Sequence, residues 1–106
     1  TMQTELIIVS EYCNKCHIEP SFILMLEEDG LIEIQEMNKE KYLFVSQLAD
    51  LERYTRMYYD LSINIAGIDA IHHLLDRMQS MQQEIHFLRN QLNVYREKEY
   101  EEIEDF

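Results

Sequence analysis

The stretch Ser10-Glu11-Tyr12-Cys13-Asn14-Lys15-Cys16-His17-Ile18-Glu19-Pro20-Ser21-Phe22-Ile23-Leu24-Met25-Leu26-Glu27-Glu28-Asp29-Gly30 decides how this chain is read. Ser10 is a good N-cap for a first helix over about Glu11 to Cys16, with Tyr12 and Cys13 as candidates for its inner face. His17-Ile18-Glu19 then turn the chain into a second helix from Pro20 to Asp29. Pro20 takes the first helical position, where a missing N–H costs nothing, and Gly30 supplies a left-handed stop. Ile18 and Ile23 fit a hydrophobic staple across that start. The layout is a helix-turn-helix, usually a reader of DNA, yet its second helix carries Glu27, Glu28 and Asp29 and no Lys or Arg. A duplex is held mainly through its phosphates, so an acidic probe helix is repelled where a reading helix should enter the groove. Nucleic acid is therefore an unlikely partner, and a protein is expected instead.

On that second helix Phe22, Ile23 and Leu26 share one face at helical spacing, which predicts an exposed Leu24 beside Glu27 and Glu28. Leu24 and Met25 ringed by Glu27, Glu28 and Asp29 make an apolar centre with an acidic rim, the composition of a protein-docking patch. The plainer reading is a solvated acidic helix with one stray leucine. Before the helix-turn-helix, the β-branched run within Glu5 to Val9 reads as a strand. After it, Leu31 to Glu36 and Tyr42 to Phe44, separated by the polar residues 37–41, read as a two-stranded wing. A third helix is expected from near Ser46 to about Asp60, with Leu48, Leu51, Thr55 and Tyr58 along one stripe.

The last helix begins at Asn64, an N-cap flanked by a second staple between Ile63 and Ile68. Ile71, Met78, Ile85 and Leu92 hold one seam position, and Leu74, Met81, Leu88 and Tyr95 hold the other, the heptad repeat of a coiled coil. At 1.5 Å per residue that seam spans about 37 Å, too long for a small domain to cover, so a partner helix and a homodimer are expected. The flanking positions Arg77, Gln82, Glu84, Arg89, Gln91 and Arg96 are mixed in sign and leave strand direction open. Residues 97–106 are dense in acid and read as a solvated, fraying tail. The chain thus divides into a module over 1–62, a dimerisation helix over 63–96 and an acidic tail over 97–106.

With 106 residues the chain has room for one small domain and an extended element. Acids outnumber bases in both halves, so the net charge of −12 describes the whole surface; it repels nucleic acid and anionic membrane and speeds encounter with a basic protein. No apolar run approaches the roughly 18 residues of a membrane span, and the N-terminus lacks a basic flank and cleavage site, which predicts a cytoplasmic protein.

Cys13-Asn14-Lys15-Cys16-His17 spells C-x-x-C-H, the pattern that attaches c-type haem, but that chemistry requires export. Zinc would need two more ligands, and His72, His73 and His86 lie on the distant coiled coil. Two reduced thiols, with Cys13 partly in the core and His17 capping a turn, are expected; so is no metal and no cofactor. His72 and His73 fall on outer heptad positions and read as solvated helix surface. No nucleophile–base pair, paired carboxylate or phosphate loop is present, which points away from an enzyme.

A strand, helix-turn-helix, wing, helix and terminal coiled coil in this order resemble the MerR-like group, a mainly α fold with a winged helix-turn-helix, a small β wing and a long C-terminal coiled-coil helix. More specifically, residues 58–68 (YYDLSINIAGI) followed by Leu74-Leu75-Asp76-Arg77-Met78 resemble the CbpM family of chaperone modulators. The similarity runs from about Glu5 to Leu92. The chain departs from it at Leu24 and Met25, where charged residues are common, and at Val45, where an Asp commonly precedes helix three.

The resemblance implies a non-catalytic protein that binds the J domain of a CbpA-type, DnaJ-like co-chaperone and restrains its stimulation of Hsp70. Such J domains present a basic helix, which an acidic surface suits. The alternative is a MerR-like transcription factor that holds phosphates with Lys39 and Lys41 in the wing and Arg53 and Arg56 on helix three, four bases that are few for ordinary affinity. A structural coiled-coil adaptor with a vestigial module is a weaker third reading.

Overall fold

The computed structural model describes the backbone of residues 5–104 and the side chains of residues 5–100. In order, it forms β1 (Leu6–Ile8), α1 (Val9–Cys16), α2 (Pro20–Glu28), β2 (Ile34–Met37), β3 (Glu40–Phe44), a 3₁₀ turn (Val45–Gln47), α3 (Leu48–Thr55), a π-helical segment (Arg56–Asp60) and α4 (Ile65–Glu104). The fold is mainly α, with one small antiparallel sheet. Two compact units divide the chain, one reaching to Ala70 and one starting at Ile71.

The two wing strands pair as read above, and β1 joins them to make a three-stranded sheet. Its order is β1-β3-β2, with Ile7 opposite Leu43 on one side and Ile34 opposite Leu43 on the other. The connection between the wing strands is shorter than the polar run suggests: Met37 pairs with Glu40, and Asn38 and Lys39 alone form the turn, both with positive φ (50° and 66°). Two successive left-handed residues make the turn whose twist matches a hairpin.

α1 starts at Val9 directly out of β1, with Ile8 at the cap position and no side-chain cap, so Ser10 does not cap it. Its end is set by His17 in the left-handed region (φ 57°), where the Ile18 N–H reaches the Cys13 carbonyl at 3.0 Å. α2 ends in the same motif, built on Gly30 (φ 78°): the Leu31 N–H donates to the Leu26 carbonyl at 2.9 Å and the Gly30 N–H to that of Glu27 at 3.0 Å. Pro20 stands at the start of α2, and Ile18 and Ile23 are both buried.

Among the described residues twelve apolar side chains form the core of the first unit, and they come from nearly every element in it. Phe22, Ile23 and Leu26 of α2 are at most 1% exposed, beside Leu43, Leu51, Tyr54 and Ile68. At about 1.5–3 kcal/mol for each large side chain buried, these seven dominate the stability of the unit. The stripe on α3 is rotated from the expected one: Leu51, Tyr54 and Met57 are buried, while Leu48, Thr55 and Tyr58 are half-buried. At the end of that helix the Thr55 hydroxyl donates to the Leu51 carbonyl at 2.7 Å, and the chain then widens into the π segment.

α4 is capped as the sequence indicates, the Gly67 N–H donating to Asn64 Oδ1 at 2.8 Å. From Gly67 onward no Gly or Pro interrupts it, and its backbone stays helical through Glu104, past the Glu97 where fraying was expected. Residues 105–106, the end of that acidic tail, lie outside the described residues.

A Cβ placed on Gly67 would stand 2.7 Å from Ile63 Cγ2 and 3.2 Å from Asn64 Oδ1. Ile63 is β-branched and stiff, so it cannot swing aside cheaply. Gly67→Ala ordinarily strengthens a helix interior by up to about 1 kcal/mol, whereas here overpacking should outweigh that gain and leave a net loss of roughly 1–2 kcal/mol. A urea melt reads the sign, and a rise in midpoint would show that Ile63 does not hold the cap closed.

Candidate protein-docking surface

α2 is held by its buried face and by two tyrosines from the π segment. Phe22 stacks on Tyr58 (ring centroids 4.6 Å, 29°) and meets Tyr59 edge-on at 5.3 Å, while the Tyr58 and Tyr59 rings stand 5.1 Å apart. The Glu19 N–H, at the start of α2, donates to the Tyr59 hydroxyl at 3.1 Å. The widened π turn is what lets two consecutive residues reach the same helix. Neither tyrosine was singled out in sequence as a support for α2, because their approach depends on that extra residue in the turn.

What α2 turns outward is acidic. Glu27, Glu28 and Asp29 are exposed, and Leu24 and Met25 are half-buried; Leu24 is thus less open than its helical angle predicts. The three acids sit at the C-terminal end of α2, with no base in its last turn. A helix C-terminus already carries partial negative charge, so acids there work against the helix. Beside them an open groove of about 440 Å³ runs between the end of α2 and β2, lined by Glu27, Ile32, Glu33, Ile34, Gln35 and Phe44. Its wall is fixed by Gln47, whose side-chain amide accepts from the Glu33 N–H at 2.7 Å and donates to the Glu33 carbonyl at 2.9 Å, imitating a strand partner. Gln47 is a second positioning residue with no signature in the sequence.

The bases of the DNA alternative are spread over separate elements. Lys39 is in the wing turn and Lys41 on β3, directly opposite Glu36; Arg53 is on α3, and Arg56 opens the π segment. All four are exposed, but Arg56 is paired with Glu52 at 3.2 Å.

The C-x-x-C-H residues fall in α1 and its cap. Cys13 is buried, and its thiol is pushed up first by burial and then by Cys16; Cys16 is exposed. Burial, with Cys16 next, also pushes the Tyr12 phenol up to about 12, and Tyr12 hydrogen-bonds Cys16. His17 is committed to the left-handed cap. Among the described residues no three His, Cys, Asp or Glu side chains gather as metal ligands.

In the second unit the seam residues Leu74, Met78, Met81, Ile85, Leu88, Leu92 and Tyr95 are 47–62% exposed, and Ile71 is half-buried. His72 pairs with Asp76 at 3.4 Å and meets the His73 ring at 5.8 Å, while His86 contacts Asn90 at 3.3 Å, ordinary near-neighbour pairs on a helix surface. Among the described residues no helix is long and apolar enough to cross a membrane.

Residues 7–90 match the family described as "MerR HTH family regulatory protein". No curated protein and no solved structure matches the chain.

The two thiols should behave differently. With the protein folded, a maleimide should label Cys16 quickly and Cys13 only after denaturation, as mass spectrometry of the peptides would show; equal rates would mean that α1 opens readily.

Proposed function

The chain belongs to the MerR HTH family of regulatory proteins, and from that footing we propose that it is a non-catalytic, CbpM-like chaperone modulator. In this reading it binds the J domain of a DnaJ/CbpA-like co-chaperone and restrains that protein's stimulation of Hsp70. The observation that carries the reading is the exposed end of α2, where a reading helix would hold bases and this one holds Glu27, Glu28 and Asp29. Phosphates repel that surface and the basic helix of a J domain attracts it. Half-open Leu24 and Met25 supply a small apolar anchor, and the acids around them supply encounter rate and orientation more than raw affinity.

The working form in this reading is a homodimer joined through the exposed seam of α4. Charge supports it. Residues 77–96 hold one acid, Glu84, against three bases, Arg77, Arg89 and Arg96, in a chain of net charge −12. Two copies therefore meet along the coil at a net charge of only +2 each, with less like-charge repulsion than the acidic remainder of their surface exerts. A MerR-like DNA-binding regulator is the second reading, favoured by the family's description and by exposed Lys39, Lys41 and Arg53.

Titration of the chain with the J domain of its own organism and, in parallel, with random-sequence duplex DNA at about 150 mM salt separates the two, because phosphate binding weakens steeply with salt. J-domain binding with Kd of about 1 μM or tighter and no DNA uptake is expected. DNA binding without J-domain binding would overturn the modulator reading. Glu27→Lys with Glu28→Lys should weaken J-domain binding about tenfold, near 1.4 kcal/mol; an unchanged Kd would remove α2 as the contact. Ile85→Asp with Leu88→Asp should yield a monomer by sedimentation, and an unaltered mass would remove the seam as the dimer contact.

A further inference from the structure

The groove between the end of α2 and β2 brings three sources of negative potential to an apolar floor. The exposed carboxylates of Glu27 and Glu33 line it, together with buried Ile32 and half-buried Ile34 and Phe44. Gly30 lines it too, so the C-terminal end of α2, with its partial negative charge, opens onto the same space. No Lys or Arg stands among the lining residues, and among the described residues neither Glu27 nor Glu33 is held in an ion pair. Glu36, the next acid along β2, differs, because it lies opposite Lys41 on β3.

We propose that this groove receives an arginine side chain of the cationic partner protein, with its guanidinium between Glu27 and Glu33 and its stem along Ile32 and Phe44. The inference rests on the modulator reading above and narrows its contact from the outer face of α2 to one groove.

Charge and the apolar floor together choose the occupant. Phosphates and anionic lipid are repelled by the groove, and so is the first unit of a further copy, since residues 1–70 hold 13 acids against five bases. A guanidinium is weakly hydrated, lies flat on apolar and aromatic surface, and offers five donors in a fixed fork that two carboxylates can share. A lysine ammonium is a strongly hydrated point charge, which a partly apolar groove would have to strip of water. The two bonds from the Gln47 amide to the Glu33 backbone set this wall before a partner arrives, which lowers the ordering cost of docking.

The Kd for the J domain of the chain's own organism, measured at about 50 and 300 mM salt, tests this. Glu27→Gln with Glu33→Gln should weaken binding about tenfold at the lower salt and flatten its salt dependence. Glu11→Gln with Glu40→Gln, which removes the same charge from exposed positions outside the groove, should change Kd by less than about twofold. In NMR spectra of the complex the amides of Glu27, Ile32, Glu33 and Phe44 should shift, together with an arginine Nε–H of an isotope-labelled J domain. Equal weakening by the two pairs of substitutions, a J domain that binds with every arginine Nε–H unmoved, or groove amides that shift when the chain alone is diluted, as a further copy in the groove would cause, overturns the arginine site and leaves the modulator reading standing. A J domain that does not bind overturns both.

Discussion

A nine-residue helix is too short to persist on its own propensity, and α2 exists because Phe22, Ile23 and Leu26 are sealed in the core. That burial fixes the rotation of the helix and therefore which of its residues reach solvent. It leaves a narrow outward surface in which Leu24 and Met25 are half-covered and Glu27, Glu28 and Asp29 are open. Tyr58 and Tyr59 brace the helix from behind, and the Tyr59 hydroxyl holds the Glu19 N–H. Any property of the outward surface follows from this anchorage, because a rotation of the helix would bring core side chains such as Leu26 into solvent.

The sign of that surface then selects among the partners a helix-turn-helix can serve. Three acids at the negative end of a helix dipole are unfavourable for the helix, yet the fold accommodates them at a well-formed left-handed stop. The groove beside them is rimmed by Glu27 and Glu33 and floored by Ile32 and Phe44, so the acidic character continues from α2 toward the wing. A surface of this sign is repelled by phosphates and attracted by cationic groups.

What the sequence revealed of this was local. Pro20, Gly30 and Asn64 mark helix boundaries because a cap is decided by a few adjacent residues, and Phe22, Ile23 and Leu26 announce the buried face by their spacing. Asn64 and Gly67 also form one device with Ile63, a close approach that a glycine in a helical pattern only hints at. Long-range features were hidden. The pairing of β1 with β3 joins residues nearly forty positions apart, and no periodicity encodes it. The π segment brings both Tyr58 and Tyr59 to Phe22 of α2, an approach that a regular 3.6-residue repeat does not announce. Lys39 in a left-handed turn concealed a two-residue hairpin that an Asn-Gly pair would have declared. In the candidate site, the identity of the acids was legible, but the partial cover on Leu24 and the Gln47 clamp on Glu33 required coordinates.

Charge is also partitioned along the chain in a way that separates two kinds of contact. The first unit is rich in acids, while residues 77–96 nearly lack them and gather exposed apolar side chains. If the acids were distributed evenly, the helix would repel its own copies along the full seam, and hydrophobic burial would have to overcome that repulsion at every heptad. Confining most of the acid excess to the first unit and to the residues after Arg96 leaves residues 77–96 with a net charge of only +2. The acidic end of α2 and the apolar seam of α4 are thus two surfaces of different chemistry, set apart along the chain.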